Sequence, residues 1–455
     1  MKKHLIGIGG VGMSALATAL VKLGCTVTGA DRTLGTPNLR RLEALGVVVF
    51  PDDGSGVDES VDEVIVSTAI EKDNPGLVRA NRLGIPVVHR AKALADALAG
   101  HRLVAVVGTC GKSTVTAMLG HLLVEAGLDP FCVNGANVLG WEGAVHFGKG
   151  AYAVAEVDES DRSLVAFDPY AAIVTNASAD HYSKEEMDQV FDAFVKNCAG
   201  PVVDGRKGLE SLEGCGGAGR SALPTGDVTV GRVVGPSDPL GRVGLEVPIP
   251  GRHNRENAIL AVTMAMKLGV DKETAFAAMK TFRGVERRLE LITAKPSKPS
   301  KPSKPSKPSK PSKPLVYDDY AHNPEKLRAM WTTLAEKSPR GICVIWRPHG
   351  YTPLRKMMDD LAAMFLDTVR PQDLLLLLPV YDAGGTTDRT IGSDALFARL
   401  SAADSAGRFA CVADLDAAFT RALALRERFD CFVTCGARDP GLPLLARRLA
   451  DGFSA

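Results

Sequence analysis

No apolar run in this 455-residue chain approaches the roughly 20 residues that cross a bilayer as a helix. The longest run near the C-terminal end, Leu374 to Val380, suits one buried strand. An excess of one charge is missing too. Lys and Arg number 54, Asp and Glu 53, and the formal net charge is +1. No global field therefore draws the chain to nucleic acid or to a membrane surface. Zinc-type cysteine spacing is absent. The 9 cysteines are scattered through apolar segments, and Cys431 and Cys435 stand too far apart for a CxxC pair. The opening Met1-Lys-Lys-His-Leu-Ile-Gly-Ile-Gly9 lacks the small-residue cleavage site of a signal peptide. These absences set the expectation of a cytoplasmic chain with reduced thiols, no membrane insertion and no nucleic-acid partner.

What is present is ordinary globular composition, with 45% hydrophobic and 24% charged residues, over a length suited to two to four domains. Short apolar runs alternate with helical patterns throughout, which argues for α/β architecture with parallel sheets. Three blocks emerge, at residues 1–99, 100–290 and 291–455. The first has strand patterns at His4 to Ile8, Thr26 to Ala30, Val47 to Phe50, Val64 to Ser67 and Pro86 to His89, with a helix at Met13 to Leu23. The third is interrupted at 295–314 by a tandem Lys-Pro-Ser tract carrying seven lysines, without which the chain is mildly acidic. Proline at every third position removes donors and favours extended polyproline II, so the tract is expected as a core-less loop between two strands.

The most informative stretch is Leu103-Val-Ala-Val-Val-Gly-Thr-Cys-Gly-Lys-Ser-Thr114. A β-branched strand runs into a Gly-flanked Lys-Ser pair and then a helix, expected over Val115 to Ala126. Backbone N–H groups in such a turn cradle phosphates, Lys112 adds a point charge and Ser113 can hold Mg²⁺. Val106 occupies the place of the usual first glycine, so the local match is Gly108, Thr109, Cys110, Gly111, Lys112, Ser113 and Thr114. A second glycine motif, Gly7-Ile-Gly9-Gly10-Val11-Gly12, lies between the first strand and helix, with Asp31 at the end of the next strand. Alone it suits a dinucleotide, any other pyrophosphate, or close helix–strand packing.

Five further motifs are weak singly. Glu156 directly follows the apolar run Ala151 to Ala155, where a carboxylate beside a phosphate loop holds Mg²⁺. Asp180-His181 follows the strand that ends at Asn176 and is either a second metal position or surface. Gly251-Arg-His-Asn254, with Asn257, reads as an adenine contact or a helix cap. Gly284-Val-Glu-Arg287-Arg288 can clamp a phosphoryl group. Asp318-Asp319-Tyr320-Ala-His322-Asn-Pro324 is a substrate edge or a capped helix start.

Their order is more telling than any one of them. Taken together they resemble the Mur ligases, the ATP-dependent amide-forming enzymes of peptidoglycan assembly. The opening Gly-Ile-Gly-Gly-Val-Gly-Met-Ser14 looks most like the alanine-adding branch. The resemblance implies three domains: a Rossmann-like UDP-sugar-binding domain (1–99), a central P-loop ATPase-like domain (100–290) and a Rossmann-like amino-acid domain (291–455). Gly9, Gly10, Val11 and Gly12 would then hold the pyrophosphate of UDP-N-acetylmuramate instead of a dinucleotide. Asp31, Ser67 and Thr68, with Ala69 and Ile70, would line the uridine side. Lys112 would meet the γ-phosphate, Ser113 and Glu156 would hold Mg²⁺, His181 a second Mg²⁺, and Asn254 would contact adenine. Arg287 would reach the phosphates. Asp319, Tyr320, His322 and His349 would face the amino acid. The implied reaction joins L-alanine to UDP-N-acetylmuramate through an acyl phosphate, with closure of the domains, in a monomer or homodimer.

Some positions depart from that pattern. Where alanine-adding members show Pro-His-Arg-Tyr-Thr-Arg, this chain reads Pro348-His349-Gly350-Tyr351-Thr352-Pro353. Both guanidiniums are missing, and Arg347 or Arg355 is the nearest substitute. Position 110 is Cys where His is frequent, 113 is Ser where Thr is frequent, and 76 is Gly where Glu is frequent. Two alternatives therefore stand beside the alanine reading: a sister ligase taking another amino acid or a recycled peptide, and a UDP-sugar-binding homologue without turnover.

Overall fold

The computed structural model describes residues 1–158, 163–177, 184–207, 228–229, 244–294, 313–382, 388–436 and 438–454. Strands β1 (Lys2–Ile6), β2 (Thr26–Asp31), β3 (Val48–Pro51), β4 (Glu63–Val66) and β5 (Val87–His89) form an all-parallel sheet in the order 3-2-1-4-5. Its first strand stops two residues earlier than the apolar run suggests, because Gly7 turns the chain at φ 74°. The order reverses between β1 and β4. Loops leaving that edge diverge and open a crevice for a ligand.

A second sheet contains β6 (Arg102–Val107), β7 (Phe131–Val133), β8 (Val145–Phe147), β9 (Tyr152–Glu156), β10 (Ala171–Val174), β11 (Val202–Asp204) and β12 (Val228–Thr229), in the order 12-11-10-6-9-7-8. Only β8 runs antiparallel to its neighbour. β6 is the axis of this sheet. Whatever follows β10 and β9 therefore flanks whatever follows β6. The first two sheets share a core: Ala15 and Ala19 from helix Val11–Lys22, and Ala91 and Leu98 from helix Arg90–Leu98, pack in the same buried cluster as Leu103, Phe131 and Ala153. Met1–Pro248 and His253–Val285 accordingly form one compact unit.

The other unit, Ile249–Arg252 with Glu286–Ala455, is built on β13 (Glu290–Leu291), β14 (Leu315–Asp319), β15 (Ile342–Arg347), β16 (Leu374–Leu377), β17 (Phe409–Cys411) and β18 (Cys431–Gly436). Their order is 13-14-18-15-16-17, parallel except for β13. Leu374, Leu376, Phe429, Phe432 and Leu445 lie in its core. No helix among the described residues is long and apolar enough to cross a membrane.

Residues 295–312 of the Lys-Pro-Ser tract lie outside the described residues, and so do residues 208–225, a segment rich in glycine. The flanks of the tract are informative. β13 and β14 pair antiparallel, with Leu291 opposite Tyr317, and the Ile292 N–H donates to the Val316 carbonyl at 2.8 Å. A few residues suffice to join such a pair. Deleting residues 298–313 is therefore expected to leave turnover within about twofold, since loop length weighs only weakly on stability. A collapse of activity in that deletion would assign the tract a role that its flanks do not suggest.

Candidate active site

The phosphate loop leaves β6 with Gly108 at φ 127° and Gly111 at φ 85°. Gly111 caps helix Lys112–Glu125 without a side-chain hydrogen bond, so the first N–H groups of the helix are not closed off by a capping side chain. The loop is held from β10. Asn176 Oδ1 accepts from the Thr109 hydroxyl (2.7 Å) and the Cys110 N–H (2.9 Å), while Asn176 Nδ2 and the Thr175 hydroxyl both donate to the Cys110 carbonyl (2.9 and 2.7 Å). Lys112 Nζ donates to the Gly108 carbonyl at 2.7 Å, folded back over the turn it is expected to serve. Ser113 and Thr114 are buried at the helix start.

On the other side of β6, Glu156 ends β9 in register with Val106 and accepts the Gly135 N–H at 2.8 Å. Asn134, 2% exposed, sits beside this contact, and its Nδ2 finds no partner among the described residues. Asp180 and His181 lie outside the described residues. Asn254 is buried in the first turn of helix Arg252–Lys267. Asn257, one turn later, packs its Oδ1 2.6 Å from where a Cβ on Gly111 would lie, which places this helix against the phosphate loop.

At the first sheet, Asp31 does something the glycine spacing did not foretell. Its carboxylate accepts the Gly9 N–H at 2.8 Å and the Thr33 N–H at 3.0 Å, so it shapes the loop from below. A Cβ on Gly9 would stand 2.9 Å from that carboxylate. Gly10 caps helix Val11–Lys22 with no side-chain bond, leaving a second helix start without a capping side chain. The turn from Ser67 to Ile70 lies alongside: Ile70 Cδ1 is 3.3 Å from the Cβ position of Gly7. Arg90 adds a cation no motif announced. Its Nη1 is 3.3 Å from the Cβ position of Gly12, and its Nη2 donates to Asp158 at 3.2 Å.

In the other unit, the C-terminal ends of β14, β18 and β15 lie side by side, because Asp319 pairs with Cys435 and Arg347 with Gly436. Tyr320 and His349 are thereby brought together. Their rings meet edge-on with centroids 6.0 Å apart, and His322 stacks on His349 at 4.9 Å. The Asp319 oxygens are taken by the Leu289 and Ala321 N–H groups, both at 2.7 Å. Arg287 pairs through Nε with the fully buried Asp318 at 3.1 Å and lies over the Tyr320 ring at 5.0 Å. Arg287 and Leu289 both adopt positive φ, 59° and 48°. That strain is tolerated because carboxylates hold both N–H groups, Glu290 that of Arg287 and Asp319 that of Leu289. Burial pushes the Asp318 carboxyl up to about 7 against the pull of Arg287 and the Thr434 hydroxyl.

Burial also pulls both histidines down to about 4, helped at His322 by Lys326 and at His349 by Arg438 and Arg287. Two imidazoles stacked this closely are therefore neutral at pH 7. In the unfolded chain they titrate near 6.5, so the stability they contribute is complete above pH 6.5 and is lost as pH falls towards 4. The melting temperature of the wild-type chain is expected to drop between pH 7.5 and 5, and His349→Gln to shrink that drop. An identical pH dependence in the variant would contradict the assignment.

The comparisons with known proteins bear on the whole of this arrangement. The Mur ligase family, catalytic domain, matches residues 2–102, and the Mur ligase glutamate ligase domain matches residues 308–438. A UDP-N-acetylmuramate–L-alanine ligase of Paenarthrobacter aurescens is 36% identical, over 89% of this chain and 89% of its own length. That of Gloeobacter violaceus is 34% identical, over 88% of this chain and 85% of its own. The chain belongs to the Mur ligase family. It is an ATP-dependent ligase of that family, as the motif order implied. Among solved structures, the UDP-N-acetylmuramate–alanine ligase of Thermotoga maritima superposes with a TM-score of 0.75 at 25% identity, over 100% of this chain and 99% of that one. It carries the same three-sheet α/β architecture expected of the family. A murein peptide ligase from Psychrobacter arcticus shares the fold with a TM-score of 0.65 at 21% identity, over 100% and 98% of the two chains.

The family pattern does not explain the replacements for the missing arginines. Arg347 is paired with Asp439, and Arg355 with Asp388 at 2.7 Å, so both sequence-proposed substitutes are committed elsewhere. Three side chains without a motif of their own stand at these strand ends: Asn176 on the phosphate loop, Arg90 beside Gly12, and, in the other unit, Arg438 on the Tyr320 hydroxyl. Asn176 was within reach of the strand-end rule, since β10 and β6 are parallel neighbours.

Proposed function

We propose that the chain joins L-alanine to UDP-N-acetylmuramate with ATP, forming ADP and phosphate, as a cytoplasmic step of peptidoglycan precursor synthesis carried out by a monomer or homodimer without nucleic-acid or membrane partners. The observation that carries this reading is the pair of glycine loops. Each opens a helix whose N-cap makes no side-chain bond, each lies at the C-terminal edge of a parallel sheet, and each is braced from a neighbouring strand end. Residues 1–99 take the nucleotide sugar, 100–290 take ATP and 291–455 take the amino acid.

In this reading Gly9, Gly10, Val11 and Gly12 present N–H groups to the UDP pyrophosphate, with Arg90 beside Gly12 as its counter-charge and Ser67 and Thr68 at the uridine side. Asp31 holds the loop in shape. Gly108 to Thr114 wrap the ATP phosphates, and Asn254 meets the adenine. Ser113 and Glu156 fit Mg²⁺, because a hydroxyl and a carboxylate oxygen at adjacent strand ends are the donors a hard cation takes, and the family resemblance gives His181 to a second Mg²⁺. Bound there, the ion supplies charge neutralisation for the phosphates.

The sugar's carboxylate attacks the γ-phosphorus in line, ADP leaves, and an acyl phosphate results. Lys112 exchanges its bond to the Gly108 carbonyl for the γ-phosphate and offsets the charge that builds there. The neutral amine of the amino acid then attacks the acyl carbon and phosphate departs. Arg287 supports the phosphate, and Tyr320, His322 and His349, the last two neutral, line the amino-acid side, with Asp319 shaping the turn.

Gly350 and Pro353 favour a second reading of the amine: a different amino acid or a recycled peptide. A panel of amino acids and peptides with UDP-N-acetylmuramate, ATP and Mg²⁺, read by product mass, separates the two. L-Alanine is expected to give the highest kcat/KM. Product from a peptide alone would move the assignment to the sister reaction, and UDP-sugar binding with no product from any amine would leave a binding homologue.

A further inference from the structure

We infer that Arg438 is the carboxylate-binding residue for the incoming amino acid, supplying from the end of β18 the guanidinium that positions 350 and 353 lack. The inference rests on the amino-acid reading of the Tyr320, His322 and His349 edge given above, and it names the group that recognises the substrate there.

Four observations carry it. Topology brings Arg438 to that edge: β18 lies between β14 and β15, so residues just past the three strand ends face one another. Arg438 Nε donates to the Tyr320 hydroxyl at 3.1 Å, which fixes its orientation at the same ring that meets both histidines. Among the described residues Arg438 has no carboxylate partner, and its single bond runs through Nε. The two terminal nitrogens, which can grip a carboxylate in a fork, make no hydrogen bond to the described residues. Finally, the guanidiniums that could otherwise serve this edge are held by acids. Arg347 and Arg355 are held by Asp439 and Asp388, and Arg287 by Asp318. Beside the Tyr320 ring Arg288 shares the condition of Arg438: it lies 5.5 Å over that ring with no acid opposite among the described residues.

Among the described residues the edge therefore carries two cations not matched by acids beside two imidazoles held neutral. The cation nearest in effect to His349 is Arg438 itself. An α-amino acid brings the charge this arrangement lacks. Its carboxylate in the Arg438 fork leaves the amine to project away from the guanidinium, which is where a nucleophile must be to remain unprotonated. Gly350 and Pro353 then follow as relaxed positions, since an arginine at either would duplicate a charge already supplied.

The test compares L-alanine with L-alaninamide, which has the same amine and side chain but no negative charge. In the wild-type chain L-alanine is expected to have the higher kcat/KM. Arg438→Ala is expected to raise the KM for L-alanine about 10- to 100-fold, as loss of a charged hydrogen-bonding partner does, and to leave that for L-alaninamide within about twofold. Arg438→Lys, which keeps the charge and loses the fork, recovers part of the discrimination. The KM for ATP stays unchanged. Equal losses for acid and amide would mean that Arg438 only braces Tyr320, and would overturn the inference, as would an unchanged KM for L-alanine. A wild-type chain that turns over neither L-alanine nor its amide but ligates another amine overturns the underlying reading first.

Discussion

Lys112→Ala is expected to lower ATP-dependent turnover by about three orders of magnitude or more, with the fold and UDP binding intact. The loop owes its shape to other residues. The Asn176 side chain makes three hydrogen bonds to it and the Asn176 carbonyl accepts the Thr109 N–H, the Thr175 hydroxyl adds another, and Gly108 and Gly111 take backbone conformations no lysine influences. Lys112 donates to the Gly108 carbonyl at a half-buried position, where water can take over that bond. Its removal therefore acts chiefly by deleting a charge. That charge is needed where the γ-phosphate gains negative charge in the transition state, so the loss should fall on kcat more than on stability. Phosphate release under saturating substrates measures it, alongside calorimetric binding of UDP. Near-normal turnover would remove the phosphate-loop assignment.

Gly108→Ala should be nearly as damaging for a different reason. At φ 127° an L side chain is strained, at a cost of roughly 1–3 kcal/mol. The new Cβ would lie 2.1 Å from the Thr175 hydroxyl and 2.9 Å from the Asn176 carbonyl. The loop and its brace cannot both keep their places. ATP turnover is expected to fall about 100-fold or more, with a raised KM for ATP, whereas UDP binding at the first sheet persists. Wild-type kinetics in this variant would show that ATP does not depend on the Thr175–Asn176 brace.

The comparison of these two variants also marks what the chain disclosed in advance. Lys112 and Gly108 were legible because phosphate loops confine their chemistry to a few consecutive residues after a strand. The same holds for the glycines from Gly7 to Gly12. The long parallel strands were legible through continuous apolar runs such as Leu103 to Val107. Strands of three residues, Phe131–Val133 and Phe409–Cys411 among them, were not, because so short a run has no period to read. Partners supplied by another strand were hidden as well. Asn176 braces a loop 66 residues earlier, Arg90 stands against Gly12, and Arg438 meets Tyr320 across 118 positions. Such contacts depend on strand order, and the order 14-18-15 cannot be deduced from spacing. Asp31 shows the converse case: its place was legible and its task was not, since a carboxylate at a strand end suits a ribose and a backbone N–H equally well.

The central claim is that ATP cleavage by this chain is coupled to joining an amino acid to a nucleotide sugar. Phosphate release with each substrate omitted in turn tests it most directly. Sustained release is expected only when ATP, Mg²⁺, UDP-N-acetylmuramate and L-alanine are all present. Release that continues at the same rate without L-alanine would contradict it.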